Sequence, residues 1–158
     1  MKMHPITGTR ADKVRSPVRT GGSTGRVGSY GMTRDGGTRK HHGADYLCQF
    51  GHPICAALDG TVMRAGEEIP RAGVVQDGRK GYGYRVYLRH KVTGEGRKLE
   101  TRYAHLGVIF VRDEQFVRAG EVIGLAGRSG NVDDDCPTHL HFEVRINNNA
   151  TDPETWLR

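Results

Sequence analysis

The stretch THLHFEV, residues 138–144, alternates polar and apolar side chains with a period of two, which is the period of a β-strand. On a strand, His139 and His141 project from one face and Leu140, Phe142 and Val144 from the other. The apolar face suits a core. The polar face offers two imidazoles, one pleat apart, to a single small site, where one can bind a metal and the other work beside it. Taken alone, the pair is equally what two solvent-facing histidines on an ordinary half-buried strand look like, in a chain with eight histidines. The motif needs partners.

The surrounding sequence reads the same way. In YGYRVYLRH (82–90) Tyr84, Val86 and Leu88 share one face and Arg85, Tyr87 and Arg89 the other. KVTGEGRK (91–98) is a turn and LETRYAHL (99–106) the returning strand. PICAALDGTVMRAG gives two short strands around an Asp-Gly turn at Asp59–Gly60, and EQFVRAGEVIGLAGRSGN repeats that rhythm. Residues 67–81 form a charged, Gly-bearing loop, and only 107–116 is read as able to make a helical turn or two. The 23 glycines show no collagen-like period and fit many turns between many short strands. The expected fold is all-β: an antiparallel sheet whose long loops form a groove along one edge, with little helix. Residues 1–27 read as a polar arm, and 28–158 as a single domain.

The 158 residues, 35% hydrophobic and 27% charged, are those of a soluble globular domain large enough for a genuine core. A net charge of +6 draws anionic partners. The basic residues are dispersed and no zinc-finger, helix-turn-helix or RNP pattern occurs, so an anionic polymer such as a cell wall is favoured and nucleic acid is not expected. No apolar run reaches the length of a membrane span, and membrane insertion is not expected. MKMHPITGTRADKVRSPVRT lacks the apolar segment of a secretory signal, which leaves the delivery route open. Cys48, Cys55 and Cys136 are an odd set, better read as small, partly buried thiols. A tight hairpin turning at Gly51–His52 would nevertheless set Cys48 opposite Cys55 for a bridge.

Two further elements can join the histidine strand. HHGAD (41–45) places His41 and Asp45 four apart around Gly43, and a glycine-bent turn entering a strand can bring them together. RYAHL (102–106) places His105 at a strand end. Imidazole nitrogen and carboxylate oxygen are ordinary zinc donors, and a catalytic zinc takes three protein ligands and leaves a position open. His41, Asp45 and one histidine of the pair supply three ligands. His105 and the other histidine remain to take a proton from water and to steady an oxyanion.

These motifs, in this order, resemble the lysostaphin-like (LytM-type) zinc endopeptidases that cut peptidoglycan peptides. That family's signature of H-x-G-x-D, Tyr-x-His-Leu and H-L-H-F corresponds to His41–Asp45, Tyr103–Leu106 and His139–Phe142. The phrases GHPICAALDGTV, VRAGEVIGLAGRSGN and DPETWL are also similar, so the resemblance spans about residues 28 to 157. By position it implies one zinc on His41, Asp45 and His141, with His105 and His139 as the catalytic histidines. It further implies a monomeric enzyme acting on peptidoglycan peptides at the cell wall or periplasm. A compact chain with neither a recognisable wall-binding domain nor a signal peptide suggests a phage lysis enzyme or a secreted antibacterial effector. Thr138 departs from the family's frequent proline, GYGYRVYLRH lacks a common asparagine, and the 67–81 loop is longer than usual. The arm has no asparagine to act as the inhibitory ligand of latent members.

Two rivals remain. A non-catalytic wall-binding or hydrolase-activating module of the same fold lacks one or more ligands, whereas this chain keeps all of them. A lipoyl- or biotinyl-type carrier needs a lysine at a hairpin tip, and the only Met-Lys-Met is Met1–Met3, in the arm.

Overall fold

The computed structural model describes residues 26–68, 81–91 and 96–156. Among these, twelve strands follow one another. The first five are β1 (Arg26–Gly28), β2 (Gly31–Arg34), β3 (Arg39–His41), β4 (Ala44–Leu47) and β5 (Pro53–Cys55). Longer strands follow in β6 (Gly60–Glu67), β7 (Tyr84–His90) and β8 (Leu99–Ile109). The chain ends with β9 (Phe116–Val117), β10 (Val122–Ala126), β11 (His139–Ile146) and β12 (Asn149–Thr151). The helical content among the described residues is two single 3-10 turns, Asp35–Gly37 and Pro153–Thr155. The fold is all-β and antiparallel, as the alternation predicts.

The main sheet runs β1-β4-β11-β8-β7-β6-β9; β10 joins β8 and β5, and β12 adds to β11. β2 and β3 form a separate hairpin. The histidine strand β11 is therefore central, flanked by β4 and β8. Its apolar face does what the pattern requires. Leu140, Phe142 and Val144 are buried, and Phe142 lies directly across from Tyr103 with ring centroids 5.2 Å apart. Ile54, Leu88, Leu106 and Ile123 are fully buried in the same core.

Several local expectations give way to the observed pairing. Asp59–Gly60 separates β5 from β6 but does not join them as a hairpin, since β5 pairs with β10 and β6 with β7 and β9. Neither residue has the positive φ that such a turn needs. Gly60 instead marks a close approach, because a Cβ there would stand 2.6 Å from His90 Nδ1 and 2.7 Å from Arg89 O. β9 and β10 likewise flank a turn at Gly120 (φ 84°) without pairing to each other. Residues 107–109 make no helical turn; β-branched Val108 and Ile109 extend β8 against β10. Most of the 67–81 loop, part of the 91–98 turn and residues 1–25 lie outside the described residues.

The cysteine hairpin does not form. His52 N donates to Gln49 O at 3.0 Å, with Gly51 (φ 79°) third in the turn, the place where a type II turn needs positive φ. The turn carries β4 and β5 apart to different partners, and all three cysteines are free thiols.

Candidate active site

His141 and Asp45 are direct cross-strand partners on β11 and β4. His141 Nδ1 lies 2.9 Å from Asp45 Oδ1. His41, at the end of β3, reaches the same point, with Nε2 3.0 Å from His141 Nδ1 and 3.2 Å from Asp45 Oδ1. What brings His41 and Asp45 together is Gly43, against which the backbone carbonyl of Phe142 packs so closely that any Cβ would collide with it. The glycine at the centre of HHGAD thus serves the approach of β11, not only the bend.

Each of the four imidazoles has one nitrogen committed outward. His41 Nδ1 donates to Ser29 O at 2.8 Å, His105 Nδ1 to Ser129 O at 2.8 Å and His139 Nδ1 to Pro137 O at 2.9 Å. His141 Nε2 donates to Glu143 Oε1 at 3.0 Å. A carbonyl or carboxylate oxygen can only accept, so these contacts fix a proton on the outer nitrogen and leave the inner one of His41, His105 and His139 with a lone pair, while the inner nitrogen of His141 faces the carboxylate of Asp45 at 2.9 Å. The inner atoms are Nε2 of His41, His105 and His139, and Nδ1 of His141. All four rings and Asp45 are buried.

His105 is aimed by a backbone irregularity. Strict alternation on β8 would send it to the core side with Tyr103. Between the pairs Val86–Tyr103 and Tyr84–Leu106, however, β8 holds one residue more than β7, a β-bulge. His105 sits in it at φ 61°, a left-handed conformation that a histidine adopts only under constraint. His105 N donates to Tyr82 O at 2.9 Å and Gly127 N donates to His105 O at 3.0 Å, which holds the bulge. The ring then lies with its centroid 5.1 Å from that of His139.

Three residues of the site were not singled out from the sequence. Glu143, fully buried, follows His141 on the same face of β11; its other oxygen accepts from Arg145 Nη1 at 2.6 Å. Period-two spacing extends H-x-H to H-x-H-x-E and is the signal that could have found it. Tyr82 donates to Glu143 Oε1 and stacks on His141, centroids 5.4 Å apart. Arg34, at the end of β2, donates through Nη2 to Asp45 Oδ2 and lies 3.1 Å from His41 Nε2. No periodicity reports either of these last two contacts.

The electrostatics follow from the packing. Burial opposes charge on His141, but its hydrogen bonds to Asp45 and Glu143 outweigh that and raise its pKa to about 9. Burial and then the neighbouring His141 and His139 push His105 down to about 3. Asp45 is held well below the carboxylate range, since its contacts with His141 and then His41 outweigh its burial. Two inward-facing imidazole nitrogens and a carboxylate oxygen converge at about 3 Å, and a bound cation would take the place of the proton that His141 Nδ1 shares with Asp45. His41, Asp45 and His141 present ligand atoms all within 4.8 Å of one another, two nitrogens and an oxygen, and this donor set suits zinc. The cluster opens into a groove of about 620 Å³, also lined by Tyr82, His105, Asn131, Cys136 and His139.

This fold and this histidine–carboxylate cluster are those of the lysostaphin-like metallopeptidase family. Residues 39–153 match peptidase family M23, and the chain belongs to that family. It is 36% identical over 115 residues to the DD-carboxypeptidase/endopeptidase Mpg of Neisseria meningitidis, covering 73% of this chain and 22% of that protein. It is 32% identical over 120 residues to the peptidoglycan DD-endopeptidase ShyC of Vibrio cholerae, covering 76% of this chain and 23% of the relative. The chain thus spans less than a quarter of these relatives' length. Among solved structures, the catalytic domain of the antimicrobial peptidase lysostaphin from Staphylococcus simulans superposes with a TM-score of 0.66 at 26% identity, covering 84% of this chain and 90% of that domain. A zinc-containing peptidase from Vibrio cholerae gives 0.70 at 27%, covering 90% and 39%.

Proposed function

We propose that this chain is a zinc-dependent endopeptidase that hydrolyses cross-links or stem peptides of bacterial peptidoglycan. Residues 28–158 are its single catalytic domain, working as a monomer at the cell wall or in the periplasm. The observation that carries the reading is the convergence of four imidazoles around Asp45, each with its outer nitrogen held by a carbonyl or carboxylate oxygen and its inner nitrogen turned to the site. His41, Asp45 and His141 hold the metal through Nε2, a carboxylate oxygen and Nδ1. Zinc bound there supplies a Lewis acid that polarises a scissile carbonyl and lets water lose a proton near neutral pH.

His139 and His105 hold the proton. Their Nδ1 protons are tied to backbone carbonyls, so each presents a proton-accepting Nε2 to the groove. His139 Nε2 stands 3.9 Å from Asp45 Oδ1, on the rim of the ligand set. One of the two takes the proton of the attacking water and returns it to the leaving amine, and an imidazolium so formed donates to the developing oxyanion. Glu143 and Tyr82 keep His141 in its ligating orientation. The names of the relatives, a peptidoglycan DD-endopeptidase and an antimicrobial peptidase among them, support the substrate class. The +6 charge suits an anionic wall, in keeping with phage lysis or antibacterial action.

The test is to digest purified peptidoglycans of several cross-link types with the zinc-loaded protein and identify fragments by mass spectrometry. New amino termini within the peptides, abolished by a chelator, are expected. Cleavage in the glycan, or no cleavage of any type, overturns the proposal.

A further inference from the structure

Arg34 stands at the point where the ligand atoms meet. Its Nη2 donates to Asp45 Oδ2 and lies 3.1 Å from His41 Nε2. Asp45 is almost wholly buried, with 3% of its side chain exposed, whereas Arg34 keeps 34% exposed. The contact is accommodated from the other side by Gly28, where a Cβ would fall 2.6 Å from Asp45 Oδ2 and 2.9 Å from Arg34 Nη2. The β2–β3 hairpin carries Arg34 on a short turn stabilised by Arg39 Nε donating to Asp35 Oδ2 at 2.7 Å.

His41 has only one lone pair to offer. Its Nδ1 proton is committed to Ser29 O, so Nε2 can accept from a guanidinium or bind a metal, but not both. Arg34 Nη2 also donates to Asp45 Oδ2, beside the oxygen that faces His41 and His141. A guanidinium cannot be deprotonated near neutral pH, so it cannot vacate the site by titrating; it must swing away. Its partial exposure and long side chain allow that, and the groove beside it is open.

The geometry points to Arg34 as a built-in competitor of the metal: the internal cation that neutralises Asp45 and His41 while no zinc is bound, and that zinc displaces. This inference rests on the proposed zinc site. Metal binds only the form with Arg34 withdrawn, so the apparent affinity is lowered by the fraction of time the guanidinium spends on Asp45. A charge-assisted hydrogen bond of this kind shifts an equilibrium by about tenfold.

Zinc affinity of the full chain, measured by competition with a chromogenic chelator, reads this directly. Arg34→Gln removes the guanidinium and should bind zinc about tenfold more tightly than the wild type. Arg39→Gln removes an equal charge from the same hairpin but touches Asp35 rather than the ligands, and should leave affinity unchanged. Thermal unfolding gives a second readout: Arg34→Gln should melt lower than wild type without metal and at the same temperature when saturated with zinc. Equal or weaker zinc binding by Arg34→Gln, or equal tightening by Arg39→Gln, overturns the role of Arg34 and leaves the zinc site standing. A wild type and Arg34→Gln that both fail to bind zinc overturn the site itself, and this inference with it.

Discussion

Asp45 and His141 face each other across β4 and β11 as a register pair, carboxylate oxygen to Nδ1 at 2.9 Å. Because the contact is written into sheet register, the two ligands are placed by the same backbone hydrogen bonds that build the fold, and a one-residue slip of either strand would send one of them to the core face. Rigid strands, rather than loops, hold this half of the site.

Alanine at His41, Asp45 or His141 should each remove both zinc and activity, since two remaining donors do not make a catalytic zinc site. Metal analysis of the purified variants checks this. Stoichiometric zinc in the His141→Ala protein contradicts the ligand assignment.

His139→Ala and His105→Ala should keep their zinc and lose turnover by a factor of about 10² to 10⁴, the usual worth of a positioned acid or base. Single-turnover assays on zinc-loaded variants measure it. If His139→Ala loses metal while His141→Ala retains it, the two roles are exchanged.

Glu143 holds the His141 proton on Nε2 and so keeps Nδ1 free for metal. Glu143→Ala should weaken zinc affinity by about 10- to 100-fold, the usual cost of removing a carboxylate behind a ligating histidine. Glu143→Gln, whose amide oxygen can still accept from Nε2, should fall between the two. Equal affinities in all three proteins, by chelator competition, would remove Glu143 from the account.

Stability should fall in mild acid because of His90. It is buried away from the site, with Nδ1 2.8 Å from Asp59 O and Nε2 2.7 Å from Thr101 Oγ1, and burial lowers its pKa to about 4. Below its unfolded pKa, near 6.5, the unfolded chain takes up a proton that the native state refuses, so stability is full above about 6.5 and declines as pH falls towards 4. The loss amounts to about 3 kcal/mol from this group. Denaturant titrations at several pH values should show a shallower decline in His90→Gln than in wild type; parallel curves would refute the assignment.

Much of this was legible in the chain. Period-two alternation identifies β7, β8 and β11, and the spacing of HHGAD, RYAHL and THLHFEV names the five residues that the structure gathers. Alternation reports which face a side chain takes, but not which strand lies beside it. For that reason Asp59–Gly60 reads as a hairpin when β5 and β6 in fact part, and Cys48 and Cys55 read as opposed when a turn at Gly51 separates them. The bulge at His105 was invisible for the same reason. Alternation would turn that ring towards Tyr103 and the core, and only the extra residue against β7 turns it to His139. Arg34 and Tyr82 reach the site from distant elements, through contacts that no local pattern encodes.

A crystal structure of the zinc-loaded protein, with anomalous data collected at the zinc edge, tests the proposed metal site most directly. One strong anomalous peak is expected within bonding distance of His41 Nε2, Asp45 and His141 Nδ1, with His105 and His139 facing it unligated. A peak on His139 or at the cysteines, or none on a fully loaded crystal, would contradict it.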